Sequence, residues 1–386
     1  MVAIVNFIAE KLIPLLLSVL GFSSLVVVHE LGHLFFCKLF NIYVPSFSVG
    51  FGPKIFEKKI GETTYRLAQI PFGGYVEIAG QEEIAQGEQK FAHDISDRSY
   101  ATKPFWQKIL VWLGGIMFNL IFAYVTFVSL FVFSSQDNNR IIISGVTKES
   151  PAEKSGLQGG DEILAINDTD IATPAQQQPR QAQKTLLEII QENPHKNVTL
   201  SVKRNDNTQH TVTILLGSRI GNDGKEIGSL GAFFTPVIHK LPFMQAVTAG
   251  IETTNGWIIT IAMGLKNFFS QKTLDGAGGP VMILAQGFKT AQHGVTALFI
   301  FLAIMSVNLA LFNLLPLGIT DGGQLLFATI EFITRRPLPN KIRMAMNVVS
   351  LVLFAALAAY LTYKDVASLF GSHLATLFQK CMTCFR

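Results

Sequence analysis

Of 386 residues, 49% are hydrophobic, 31 are phenylalanine and 15% are charged, with a formal net charge of +4. A chain this apolar is excluded from the ordinary soluble enzymes and reads as a polytopic membrane protein. Its lysines and arginines gather in loops, which gives no sign of a nucleic-acid partner, and Cys37, Cys381 and Cys384 make neither a disulfide framework nor a four-cysteine metal site.

Residues 1–44 hold the first hydrophobic segment, about Val5 to Phe40, long enough to span a bilayer with tilt. Its second half contains His29-Glu30-Leu31-Gly32-His33. Side chains four apart share one helix face, so the two imidazoles can hold one Zn2+, and a glutamate beside the first can take a proton from water at the metal. Amide hydrolysis is the reaction class implied. The plain alternative is a chance pattern on a packed helix, but ionisable side chains in a lipid-spanning run are costly, which favours a functional reason. Cys37 continues the stripe one turn further, where packing is expected. A segment carrying ligands stays in the protein as a transmembrane helix and is not removed as a signal peptide.

Residues 45–104 change character. Residues 55–60, a Gly61-Glu62 turn and 64–70 read as a β-hairpin framed by Gly50–Pro53 and Pro71–Gly74. It is either a surface hairpin or a strand edge that pairs with an extended substrate. Residues 81–103 read as a solvated connector. The stretch from Lys38 to Lys103 has eight Lys/Arg and the first ten residues none, which puts it on the cytoplasmic side. The second segment, Phe105–Phe133 within 105–137, contains Gly114, Gly115 and Asn119, expected to pack against neighbouring helices.

Residues 138–220 form a polar island: a strand over 140–146, a Ser150-capped helix with Pro151 at its first position, a strand within 159–168, a helix over 181–191 and a closing hairpin over 197–204 and 208–216. The run from Ser150 through Gly156, Gly160-Asp161 and Ile163 to Asn167 resembles PDZ domains, with the strand order permuted as in bacterial ones. Such a domain either binds a peptide by strand addition or is a spacer that keeps bulky proteins out, and both readings stand. In 221–295, the helical stretch 242–269 is expected to lie along the outer interface without crossing. The reason is parity: the ligands close segment one, the next candidate closes Thr296–Leu317, and those two helices must run the same way for their ends to meet. Four crossings result, the third within 296–343 and the last, about Met344–Tyr363, within 344–386. Arg335, Arg336, Lys341 and Arg343 again mark the cytoplasmic side. The Cys381 and Cys384 pair in the tail carries no assigned role.

Two histidines leave a catalytic zinc one protein ligand short, and a carboxylate is a usual third. The run from Asn313 through Pro316 and Gly318 to Asp321-Gly322-Gly323 supplies one at the membrane edge, where an unpaired aspartate is costly. Pro316 and the glycines would break the helix and swing Asp321 toward the metal. The local alternative is that Asp321 caps the next helix, 324–332.

With these motifs in hand the chain resembles the site-2 proteases, a family of intramembrane zinc metalloproteases, and most closely the bacterial regulator-of-sigma-E protease type. The likeness covers nearly the whole chain: His29–His33, Phe47–Gly52, Ile70–Val76, the PDZ run, Gly278-Gly279-Pro280 and Asn313–Gly323. It implies a polytopic α-helical membrane protein with four transmembrane helices, a membrane-associated β-hairpin and an inserted α+β PDZ domain. It implies His29, His33 and Asp321 as Zn2+ ligands, Glu30 as catalytic base, and Asn313 as a residue that holds the substrate backbone. The function implied is cleavage of transmembrane segments of single-pass proteins, such as anti-sigma factors or remnant signal peptides, in regulated intramembrane proteolysis. The place implied is a bacterial inner membrane, with the PDZ domain extracytoplasmic and the site near the cytoplasmic face. Thr320 stands where the family has leucine, Gly318 where it has a second proline, Ile116 where proline follows glycine, and the island has room for one PDZ domain rather than two. None of these removes a ligand or the base. The rival readings are a non-catalytic PDZ membrane scaffold with a structural metal site, which has no use for Glu30, and a metal-transporting bundle, which needs more than one short cluster of ligands.

Overall fold

In the computed structural model the described residues are 8–81, 89–133, 141–147, 150–167, 169–171, 179–204, 207–220, 226–234, 240–271, 278–292 and 294–384. Residues 5–7 of the expected first segment, 82–88 of the connector, 140 and 168 lie outside them, as do the side chains of Cys381 and Cys384. Four helices among the described residues are long and apolar enough to cross a membrane: Glu10–Leu39, Phe105–Phe133, Val295–Asn313 and Lys341–Ala367. The protein is a multi-pass membrane protein with four candidate spans, as the hydrophobic segments led us to expect. The chain divides into two compact units, residues 1–127 with 250–386, and residues 128–249.

In the first unit a π-helical turn, Ile8–Leu12, leads into α1 (Ile13–Leu39). Two long strands follow, β1 (Ser46–Ile60) and β2 (Thr63–Glu77). Both bend at glycines with positive φ, +86° at Gly50, +90° at Gly52 and +104° at Gly73, a region that glycine reaches at little cost. The Gly- and Pro-rich stretches that frame the hairpin in the sequence are therefore bends within strands. Residues 46–49 pair with 77–74 on one side and with 64–67 on the other, while 54–60 folds back on 68–63. Across the sheet the limbs run 54–60, 63–68, 46–49, 74–77, so the free edges are the first and the last. Ile55, Phe56 and Ile60 on the outer limb are more than half exposed, an apolar surface suited to lipid. Ser23 Oγ of α1 donates to the Pro71 carbonyl and fixes the second bend to the helix.

The second long helix, α2 (Phe105–Phe133), closes a core with α1 and the sheet. Leu34, Phe36, Ile42, Val44, Phe47, Val76, Val111 and Trp112 are buried together. Trp112 Nε1 donates to Tyr100 Oη at 2.8 Å, so the indole enters this core with its polar atom paired.

The second unit contains β3 (Ile141–Val146), α3 (Pro151–Lys154), β4 (Glu162–Ile166), β5 (Thr169–Asp170), α4 (Pro179–Glu192), β6 (Asn197–Lys203), β7 (Gln209–Leu215), β8 (Gly217–Ile220), β9 (Glu226–Ser229) and β10 (Ala232–Phe234). The main sheet runs β10-β3-β4-β6-β7, with β5 beside β4 and β8 paired with β9. The last strand thus lies against the first, the permuted order of a PDZ-like sheet. Val198, Leu200 and Val202 alternate inward along β6 and join Ile141, Ile163, Leu186 and Ile214 in one core.

The chain continues through α5 (Phe243–Gln271), which is not among the candidate spans, then α6 (Pro280–Gln292), α7 (Val295–Asn313), α8 (Asp321–Thr334) and α9 (Asn340–Cys384). The third segment ends as a helix at Asn313, short of the expected 317, because Pro316 disfavours helical backbone just before it. Asp365 of α9 accepts from the N–H groups of Gly279 (3.1 Å) and Met282 (2.8 Å), which satisfies the start of α6 inside the bundle.

Candidate metal centre and active site

His29 and His33 are buried on the face of α1 turned to α2. The helices approach so closely because Gly115 lacks a side chain: a Cβ there would lie 2.5 Å from His29 Cε1 and from His33 Nε2. That closeness puts the backbone of α2 to use. His33 Nδ1–H donates to the Val111 carbonyl at 2.8 Å, and the Gly115 carbonyl, one turn on, faces His29. With the proton held on Nδ1, the Nε2 lone pair of His33 is left for a metal.

Asp321 is the first residue of α8, and the loop before it is folded back on itself. Thr320 Oγ1 bonds the carbonyls of Leu315 (2.6 Å) and Leu317 (2.9 Å). A Cβ on Gly322 would stand 2.3 Å from the Leu314 oxygen and one on Gly323 1.9 Å from the Leu317 oxygen, so only glycine lets the first turn of α8 sit under the loop. Asp321 does not act as the cap: Thr320 holds that position and makes no side-chain cap bond. The carboxylate faces α1 instead.

Three side chains meet there. His29 Nε2 lies 3.2 Å from His33 Nε2 and 3.2 Å from Asp321 Oδ2, and His33 Nε2 lies 3.5 Å from Asp321 Oδ1. Ligands on a tetrahedral zinc at about 2.0–2.1 Å stand about 3.3 Å from one another. Each of these separations is close to that between two ligands of one such ion. Asp321 Oδ2 is also buried, with no hydrogen-bond partner outside this cluster, as an oxygen directed at a cation would be. Two imidazoles and a carboxylate lining one cavity are the donor set of a catalytic rather than a structural zinc. Cys37, buried one turn beyond His33, belongs to the packed core and not to this cluster.

A cavity of about 250 Å³ opens on the cluster, and its walls include Glu30, Val76, Ile78, Asn313 and Gln324. The Val76 N–H bonds the Glu30 carboxylate, and a Cβ on Gly74 would come within 3.6 Å of Glu30 Cγ. The limb beside the cavity is therefore 74–77, not the 55–70 hairpin that the sequence suggested for strand pairing. Limb 63–68 is flanked on both sides and has no edge to offer. Asn313, the last residue of α7, brings Nδ2 to 3.3 Å from His29 Nε2.

Sequence reasoning missed the Val111 and Gly115 carbonyls and the Val76 N–H, since backbone groups leave no side-chain signature. It also missed Gln324, which donates to the Gly318 carbonyl (2.9 Å) and accepts from Gln81 Nε2 (3.0 Å), bracing the loop ahead of Asp321. Its place three residues after Asp321, on the same helix face, is the signal that could have found it.

A family model described as peptidase family M50 matches residues 17–357. A Clostridium perfringens protein whose name carries the words zinc metalloprotease, CPE1693, is 32% identical over 355 residues, which cover 91% of this chain and 98% of that one. The Regulator of sigma-W protease RasP of Bacillus subtilis is 26% identical over 422 residues, covering 90% of this chain and 97% of its own. The Zinc metalloprotease RasP of Geobacillus kaustophilus is 25% identical over 432 residues, covering 94% and 99%.

Proposed function

The chain belongs to peptidase family M50 and is a zinc metalloprotease of the site-2 type, and from that premise we propose that it cuts single-pass membrane proteins within or beside the bilayer. One observation carries the reading: His29, His33 and Asp321 share a single cavity with Glu30 and Asn313, among helices apolar enough to span a membrane. His29 and His33 would hold the zinc through Nε2 and Asp321 through its carboxylate. A zinc ion held there would supply Lewis-acid polarisation of the scissile carbonyl and a water acidic enough to be deprotonated at neutral pH. Glu30 takes the proton from the attacking water and passes it to the leaving amine, and the Val76 N–H keeps its carboxylate aimed into the cavity.

A substrate helix hides its peptide groups in internal hydrogen bonds, so it unwinds locally before cleavage. The free edge at 74–77 offers main-chain partners to the unwound strand. Asn313 offers its amide to a carbonyl beside the scissile bond, which offsets part of what unwinding loses. The substrates are anti-sigma factors or remnant signal peptides; one relative is named for the regulation of sigma-W. The Lys/Arg-rich stretch 38–103 supports a site near the cytoplasmic side of a bacterial inner membrane, with the PDZ-like unit outside, where it receives a peptide or screens out bulky proteins.

Reconstitution in liposomes with a single-pass substrate tests this. Zinc-dependent cleavage inside the apolar segment is expected, abolished by chelation and by Glu30→Gln. Full cleavage by zinc-loaded Glu30→Gln contradicts the role given to the base.

A further inference from the structure

Asn119 is wholly buried on α2, one turn beyond Gly115. Its Nδ2 lies 3.2 Å from His29 Nδ1, while its Oδ1 is buried with no hydrogen-bond partner. His29 turns Nε2 toward His33 and Asp321, so a ring that gives the Nε2 lone pair to a metal carries its proton on Nδ1. An N–H facing an amide NH2 sets donor against donor, and an unpaired buried amide oxygen is costly. Half a turn of the amide exchanges its two ends, so that the oxygen meets the N–H and the donor–donor clash is relieved, with the NH2 left where the oxygen stood.

We propose that Asn119 is a positioning residue whose Oδ1 accepts the His29 Nδ1–H, fixing the tautomer and the aim of the ring toward the metal. The inference rests on the reading of His29 as a zinc ligand. It also explains why the two histidines need different support. His33 has a main-chain acceptor at 2.8 Å in Val111, whereas His29, a turn nearer the start of α1, has the Gly115 carbonyl within reach of its ring and the Asn119 amide 3.2 Å from its Nδ1. Residues 111, 115 and 119 then form a row of acceptors at one-turn spacing along α2, facing two imidazoles at one-turn spacing along α1. Asn119 is itself held from the far side, where Ser306 Oγ of α7 donates to its main-chain carbonyl at 2.9 Å.

The test is a zinc titration against a chelator of known affinity, on full-length protein purified in detergent and stripped of metal, with thermal unfolding of each metal-free form. Asn119→Leu keeps the size and removes the acceptor, and it should weaken zinc binding by about 10–100-fold. Asn119→Asp keeps an acceptor and should bind zinc at least as tightly as the wild type. If the leucine variant does not fold, Asn119→Ala takes its place. A leucine or alanine variant with wild-type zinc affinity, or an aspartate variant as weak as the leucine one, overturns the proposal while leaving the ligand set intact. A wild-type protein that binds no zinc, or binds it equally well after His33→Ala, overturns the ligand reading itself and this inference with it.

Discussion

Gly32 of α1 and Gly114 of α2 meet backbone to backbone: a Cβ on Gly32 would stand 2.1 Å from the Gly114 oxygen, and one on Gly114 would stand 2.5 Å from the Gly32 oxygen. The contact falls within the His29–His33 stretch, so the spacing of the two helices sets the distance between the imidazoles and the carbonyls that orient them. Small residues are the usual means of close helix approach in membranes, and here the approach serves the chemistry.

Gly115→Val should therefore act on the metal before it acts on the fold. The added carbons meet both imidazoles, and relief requires either displaced rings or parted helices, at about 1–3 kcal/mol. Zinc per protein should fall well below one while the helical content is kept. Full zinc occupancy in Gly115→Val would contradict the packing described.

The His29-Glu30-Leu31-Gly32-His33 pattern was legible in the sequence because five residues on one helix need no tertiary information to be read. Asp321 was legible only with the argument that zinc needs a third ligand, and the loop that delivers it, through Thr320, Gly322 and Gly323, was legible as a helix break but not as a tuck. Gly115 and Asn119 were read as packing residues. Which face of α2 meets which turn of α1 is decided by long-range contacts that no local pattern encodes. The bent strands escaped for a related reason: glycine and proline signal a break in the chain, and here the pairing continues around the bend.

Glu30→Gln is nearly isosteric and keeps the Val76 N–H partner, so zinc content and melting temperature should stay near those of the wild type. Peptide-bond cleavage should fall by about 10²–10⁴-fold, the usual worth of a positioned general base. Matched metal analysis and turnover of a transmembrane substrate check this.

Ser350 of α9 accepts the Gly318 N–H at 2.8 Å, inside the loop that carries Asp321. Ser350→Ala leaves that buried donor unpaired and should cost about 1–3 kcal/mol, with weaker zinc binding as the loop loosens. Ser350→Thr keeps the hydroxyl and should restore both. Thermal unfolding with and without zinc separates the two effects.

Glu62 closes the turn between β1 and β2, where hydrogen bonds from Arg98 and Lys38 hold its carboxyl below the usual range. A folded pKa below the unfolded one means a contribution present above the ordinary carboxylate range and lost as pH falls through the folded value. The group is partly open to solvent, so the contribution is under about 1 kcal/mol. The gap in melting temperature between wild type and Glu62→Gln should narrow as the pH is lowered from 7 toward 3. A gap that does not change with pH would contradict the assignment.

X-ray absorption at the zinc edge, on the purified full-length protein, bears most directly on the convergence of His29, His33 and Asp321 on one ion. The account predicts one zinc per chain with nitrogen and oxygen neighbours at about 2.0–2.1 Å, an outer-shell signal of two imidazoles, and loss of one imidazole in His33→Ala. A sulfur neighbour at about 2.3 Å, or a zinc environment unchanged by His33→Ala and Asp321→Asn, would contradict it.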